Sequence, residues 1–286
     1  MKRLLQLIVA IIFISCGSKS HVAQDIDEKY PINGRVSSIK IISYDAVSRF
    51  GEAHKADEDD YEGYILINLD KDGYLDSFYS YWYSSYDRCD MLSSYGKYQY
   101  SDGRITSMTI YDSSGEEDGE VVWSYLNDKL SRIDTFDADG ELKSYQQFEY
   151  LDDGVIISSS LDSTGALLGR SINTLSEAAY RKALTSFTAD NDDITSVSLS
   201  NGSQLLAVSD GKVERRAFYN ANGDVERCEG FRLSPDGSSF LHSDIATFYL
   251  YTYQYDSKKN WVKRVCYEGA AKQPIEITER FIEYDD

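Results

Sequence analysis

One turn motif recurs along this chain at a fixed interval. "YDSSGE" begins at Tyr111, "FDADGE" at Phe136 and "LDSTGA" at Leu161, each 25 residues after the last. A second set, "YSDGRI" at Tyr100, "YLNDKL" at Tyr125 and "YLDDGV" at Tyr150, keeps the same interval. In Asp-x-x-Gly the carboxylate can accept a hydrogen bond from the backbone two residues on. The glycine supplies the left-handed conformation that closes a bulged hairpin loop. Between the two sets lie "ITSMTIY", "LSRIDTF" and "VIISSSL". Seven residues make a strand of roughly 20–23 Å at about 3.3 Å each. Each 25-residue unit therefore predicts two antiparallel strands and two turns. A parallel solenoid of the same period has no use for turns that reverse the chain.

The spacing predicts a mainly β fold: an antiparallel β-meander, as an open twisted sheet or two sheets, with one inserted α-helix. The structural turn glycines are Gly103, Gly115, Gly140, Gly154 and Gly165. After a break come Gly211, Gly223 and Gly237 in "VSDGKV", "YNANGDV" and "LSPDG". Tyr98, Trp123 and Phe148 form one column of the repeat, and Tyr100, Tyr125 and Tyr150 a second on the same face. The helix is "TLSEAAYRKALTSF", with Thr174 and Glu177 in a capping-box pattern and Leu175, Ala179 and Ala183 on one stripe. "DAVSRFG", Asp45 to Gly51, reads as a short helix stopped by its glycine. The β-repeat domain spans residues 34–286, with arrays over about 64–170 and 205–284 on either side of a helix at about 175–187.

The N-terminus, "MKRLLQLIVAIIFISC", has two cations and an apolar run from Leu4 to Ile14 that is short for a bilayer span. Residues 1–15 read as a secretory signal and 16–33 as a polar tether. "FISC" resembles the bacterial lipobox, which implies lipidation of Cys16, a membrane partner through that anchor, and an address at the outer membrane. Removal of Lys2 and Arg3 lowers the net charge from −19 to −21. Such a surface repels phosphate backbones, so nucleic acid is an unsuitable partner. Cys89, Cys228 and Cys266 fit no closed disulfide framework and no metal spacing.

The Tyr-Asp-x-x-Gly units resemble the YD (Rhs-type) repeats of bacterial surface proteins and toxin shells. They are also similar to small Gram-negative envelope lipoproteins carrying degenerate copies. "GRVSSIKIISYDAVSRFGEAHK" resembles the opening segment of the latter, and "YQYDSKKNWVKRVCYEG", with Asn260–Trp261, their closing hairpin. The resemblance implies a non-enzymatic β platform for binding or assembly, with a glycan or an envelope protein as partner. An envelope enzyme acting on polysaccharide through paired carboxylates is the alternative.

Few residues point to chemistry. "NLDKDGYLD" places Asn68, Asp70, Asp72 and Gly73 at the first offsets of a calcium loop, but Tyr79 stands where the bidentate glutamate belongs. His21, His54 and His242 lack a second ligand or a nucleophile at a recognisable offset. No motif for a metal, cofactor or catalytic nucleophile is present. The acidic run Asp57–Asp60 reads as a solvated loop. The segment Tyr74 to Tyr100 mixes tyrosine and serine densely, a composition suited to recognition. Within it Tyr81, Trp82 and Tyr83 are the candidate ligand-binding residues. Because they are adjacent, a strand turns at least one of them away from the others. "DST" at Asp162–Thr164 resembles a short O-glycosylation acceptor, with Ser163 modified.

Overall fold

The computed structural model describes residues 32–56, 61, 63–84, 86–87, 89–176, 178–180, 182–183, 194–200, 204–209, 213–233 and 240–285. Cys16, His21, the run Asp57–Asp60, Glu177, Gly211, Gly237 and the side chain of His242 lie outside the described residues.

The described chain is almost entirely strand. The first group is β1 (Val36–Arg49), β2 (Glu52–Lys55), β3 (Gly63–Leu69), β4 (Leu75–Ser84), β5 (Cys89–Ser101) and β6 (Arg104–Asp112). Then come β7 (Glu117–Leu126), β8 (Lys129–Asp137), β9 (Leu142–Leu151), β10 (Val155–Asp162), β11 (Leu167–Thr174) and β12 (Ile194–Ser200). The last are β13 (Gln204–Ser209), β14 (Val213–Tyr219), β15 (Val225–Leu233), β16 (Phe240–Tyr255), β17 (Trp261–Glu268) and β18 (Gln273–Tyr284).

Two compact units divide the chain. The larger holds the described residues up to Gln147, then Ser160–Ala166 and Tyr251–Asp286. Its strands hydrogen-bond in the order β17, β18, β1, β3, β4, β5, β6, β7, β8, β9, every pair antiparallel. The second holds Phe148–Ser159 and Leu167–Leu250. In it β12 to β16 form an antiparallel meander, but β11 and β12 pair in parallel. Parallel neighbours need a crossover rather than a hairpin, and the inserted helical stretch supplies it: Ala178–Tyr180 and Lys182–Ala183 are helical, and Tyr180 is buried.

The long turns follow the chemistry of their motif. At Asp112, Asp137 and Asp162 the aspartate N–H bonds the carbonyl four residues on, and the N–H of Gly115, Gly140 and Gly165 bonds back to the aspartate carbonyl. The aspartate Oδ1 accepts two further backbone N–H groups at each turn. The same closure recurs at Asp70, Asn220 and Asp256, so the Asp70 carboxylate of the calcium-like segment is spent on its own turn. Gly223 has positive φ like the others, as does Gly154 in the 3-10 turn Asp152–Gly154. The short turns are two-residue type: Asp102–Gly103 and Asn127–Asp128 have positive φ at both positions.

"DAVSRFG" is corrected from helix to hairpin. Ala46–Arg49 continues β1 and pairs with Lys55–Glu52 of β2 through a turn at Phe50 and Gly51, both of positive φ. The segment has a strand partner nine residues away and its Ile42 and Tyr44 neighbours are already laddered to β18, so extension wins over a one-turn helix.

In the larger unit one sheet face is buried. A row across its centre runs Ile282, Ile39, Ile67, Phe78, Gly96, Ile110, Gly119. Ile39, Ile67, Phe78 and Ile110 are buried, as are Met108, Val121 and Trp123 on the same face. From Phe78 onward large and small residues alternate, and Phe78 occupies the space a side chain on Gly96 would need.

Candidate functional site

Strand alternation puts a different population on the opposite face. Tyr79, Tyr95 and Tyr111 are direct cross-strand partners on β4, β5 and β6. Their rings stack with centroids 5.3 and 4.7 Å apart and interplanar angles of 16° and 11°. Two residues along β4, Tyr81 stacks on its partner Tyr64 of β3 at 4.4 Å and 18°. Two further on, Tyr83 meets Tyr61 at 5.0 Å, and Tyr61 meets Tyr44 of β1 edge-on at 5.8 Å. The β4 tyrosines thus form a spine, each ring stacked against a different neighbour. Cross-strand aromatic pairs of this kind contribute about 0.2–1 kcal/mol each to a sheet.

Several ring faces of the array are covered. Tyr95 has a tyrosine on either side. Lys40 Nζ lies 3.7 Å from the Tyr64 ring centroid and Lys55 Nζ 3.8 Å from that of Tyr44. Lys97 Nζ lies 5.8 Å from both Tyr95 and Tyr111. Lys55 is further held by Glu279 at 2.9 Å. Tyr61 Oη donates to Asp90 Oδ1 at 2.7 Å, and burial, then that carboxylate, push its phenol pKa up. Tyr44 is buried, and Tyr61, Tyr64, Tyr79, Tyr81, Tyr83, Tyr95 and Tyr111 are half-buried.

The three sequence candidates do not share one face of the sheet. Tyr81 and Tyr83 belong to the tyrosine face, whereas Trp82 points to the other side and is 46% exposed beside its partner Met91. Tyr64, Tyr79, Tyr95, Tyr111 and Lys40 were not singled out from the sequence. The signal was there, because Tyr79, Tyr95 and Tyr111 recur every 16 residues, but it means stacking only once the hairpin register is known. Ser163 stands exposed in the Asp162–Ala166 turn. His54 is exposed, with Glu52 at 4.0 Å.

A groove of about 390 Å³ opens beside the tyrosines, lined by Glu117, Glu120, Phe136, Asp137 and Asp139. Its carboxylates share the lining with the Phe136 ring. Asp137 is a poor general acid: a Lys143 ammonium and the N–H groups of Glu141 and Asp139 lower its pKa, the wrong direction for that role. Among the described residues no group of three metal-ligating side chains gathers, and no helix is long and apolar enough to cross a membrane. Cys89, Cys228 and Cys266 are not joined in disulfides.

No family model and no curated protein matches the chain. Among solved structures it is similar to a porin-like protein from Bacteroides uniformis, at 12% identity over 88% of this chain and 98% of that one, with a TM-score of 0.33. A LolA superfamily protein from Nitrosomonas europaea matches at 9% identity over 93% and 95%, TM-score 0.22. An outer membrane lipoprotein-sorting protein domain from Vibrio parahaemolyticus matches at 8% over 86% and 84%, TM-score 0.22. The assignment to Rhs-type YD repeats is corrected: no YD-repeat family model matches the chain. Physical chemistry accounts for the misleading motif. Asp-x-x-Gly is the general solution for a bulged hairpin loop, so it recurs in any meander built on that turn.

Proposed function

We propose that this chain is a lipid-anchored protein of a bacterial envelope, held through Cys16, whose larger unit serves as a binding platform. The observation that carries this reading is the tyrosine face: at least seven rings on one side of a sheet, locked by mutual stacking. Tyrosine gives broad contact at low entropic cost, since two side-chain torsions are already fixed. A sugar ring binds an aromatic by lying on its face, and here both faces of Tyr95 and one face each of Tyr79, Tyr111, Tyr64 and Tyr81 are taken by a neighbouring ring. Edges and hydroxyls suit a flat protein surface, so an envelope protein is the favoured partner. The groove at Glu117 and Asp137 gives an enzyme no comparable support.

Two measurements test it. Cys16→Ser should move the protein from the membrane to the soluble fraction and abolish labelling by palmitate. A photo-crosslinking residue in place of Tyr81 should capture a discrete envelope protein in cells, and Tyr95→Ala should abolish capture. Binding to an envelope polysaccharide array that survives Tyr95→Ala but not Glu120→Gln would favour the enzyme instead. Ser163 is the proposed O-glycan acceptor, and an unmodified intact mass from native cells would remove it.

A further inference from the structure

Asn33 stands at the entry to the described chain, and one side chain holds its backbone from both sides. Asn260 Nδ2 donates to Asn33 O at 2.8 Å, and Asn33 N donates to Asn260 Oδ1 at 2.7 Å. A primary amide offers a carbonyl and an N–H in one plane, which is what a neighbouring strand offers a peptide. Asn260 therefore acts on Asn33 as a one-residue strand. It is itself buried and oriented: its backbone N–H bonds Asp256 Oδ1 at 2.9 Å, and Nδ2 also bonds Tyr284 Oη at 2.7 Å. Tyr284 Oη in turn donates to Asp256 Oδ2. Above them Lys258 lies 3.7 Å from the Tyr284 ring centroid. Gly34, at φ +87°, passes so close beneath Lys258 that a Cβ would stand 2.9 Å from its Cδ.

Every partner of Asn33 in this cluster comes from the last part of the chain. Asp256, Lys258 and Asn260 form the turn between β16 and β17, and Tyr284 reaches the site because β18 pairs with β1, placing it opposite Val36. We propose that the cluster is a strap that fastens residues 33–35 only after the closing hairpin and β18 are in place. Without Tyr284 the Asn260 amide loses the hydroxyl that orients it, and without Asn260 the backbone of Asn33 loses both its bonds. A chain made from its N-terminus holds this segment unfastened until Tyr284 is available. The strap is independent of what the tyrosine face binds.

Trypsin reports the state of the strap, because Arg35 lies within the fastened segment and its side chain is 59% exposed, paired with Asp285 at 3.5 Å. The full chain is digested under native conditions, and cleavage after Arg35 is compared with cleavage after Lys129, exposed beside the Asn127–Asp128 turn. Asn260→Ala should speed cleavage after Arg35 about tenfold, the factor expected from losing one to two net hydrogen bonds, and leave Lys129 unchanged. Tyr284→Phe keeps the ring under Lys258 and removes only the hydroxyl. It should accelerate the same bond by a smaller factor. Folded variants that are cut after Arg35 at the wild-type rate would overturn the strap. If Asn260→Ala fails to fold, Tyr284→Phe decides alone.

Discussion

The ring of Phe78 lies across the backbone of Gly96, its partner on the next strand, so that a Cβ on Gly96 would stand 2.3 Å from Phe78 Cε1. Gly96→Ala must push the buried ring aside, and should cost about 1–3 kcal/mol in denaturant unfolding. Phe78→Ala should cost about 3–5 kcal/mol. In the Phe78→Ala background the Gly96→Ala change should be nearly neutral. A full cost there would place the strain somewhere other than the ring.

Tyr95 is stacked on both sides, Tyr111 on one. With about 0.2–1 kcal/mol for each cross-strand pair, Tyr95→Ala should lose about 0.4–2 kcal/mol from stacking. Tyr111→Ala should lose about half as much. Equal losses in chemical denaturation would mean that the rings do not act as a stack.

The long-turn aspartates make stability fall in acid. Hydrogen bonds from Ser114 and its backbone lower the pKa of Asp112, those from Thr164 and Ala166 that of Asp162, and Lys143 that of Asp137. A carboxylate whose folded pKa lies below its unfolded value of 3.8 stabilises the fold above that value. The contribution disappears as pH falls through the lower folded pKa. Melting temperature should therefore drop steeply below about pH 4, and Asp137→Asn, which keeps an acceptor at every pH, should flatten that slope. An unchanged slope in Asp112→Asn, Asp137→Asn and Asp162→Asn together would assign acid sensitivity elsewhere.

The thiols should separate by reactivity. Cys89 is exposed, whereas burial pushes the Cys266 thiol up to about 11. An aromatic disulfide reagent at pH 8 should label Cys89 rapidly and reach Cys266 only on unfolding, because the thiolate is the reacting form. Simultaneous labelling of both in the native protein would contradict the buried position of Cys266.

Local chemistry was legible in the sequence and long-range pairing was not. Asp112, Asp137 and Asp162 announce their turns because the bonds that close them lie within five residues. The helical insert reads from Ala179 and Ala183 of its stripe, whereas Leu175 falls in a bend before it and is exposed. That the insert carries the chain between the parallel strands β11 and β12 depends on a register no stripe encodes. Asp45–Gly51 misreads as helix because β18, which holds the preceding residues extended, lies more than 200 positions away. Likewise Trp82 can be turned away from Tyr81 by strand period alone, yet Tyr81 finds Tyr64 only through the hairpin register of β3 and β4.

β1 is flanked by β18 on one side and β3 on the other, so in the larger unit the slot beside the opening strand is filled by the chain's own tail. A product ending before Gln273 would present that row of unpaired amides to any passing strand. Premature stops late in the gene would then do more than shorten the protein: they would make it adhesive.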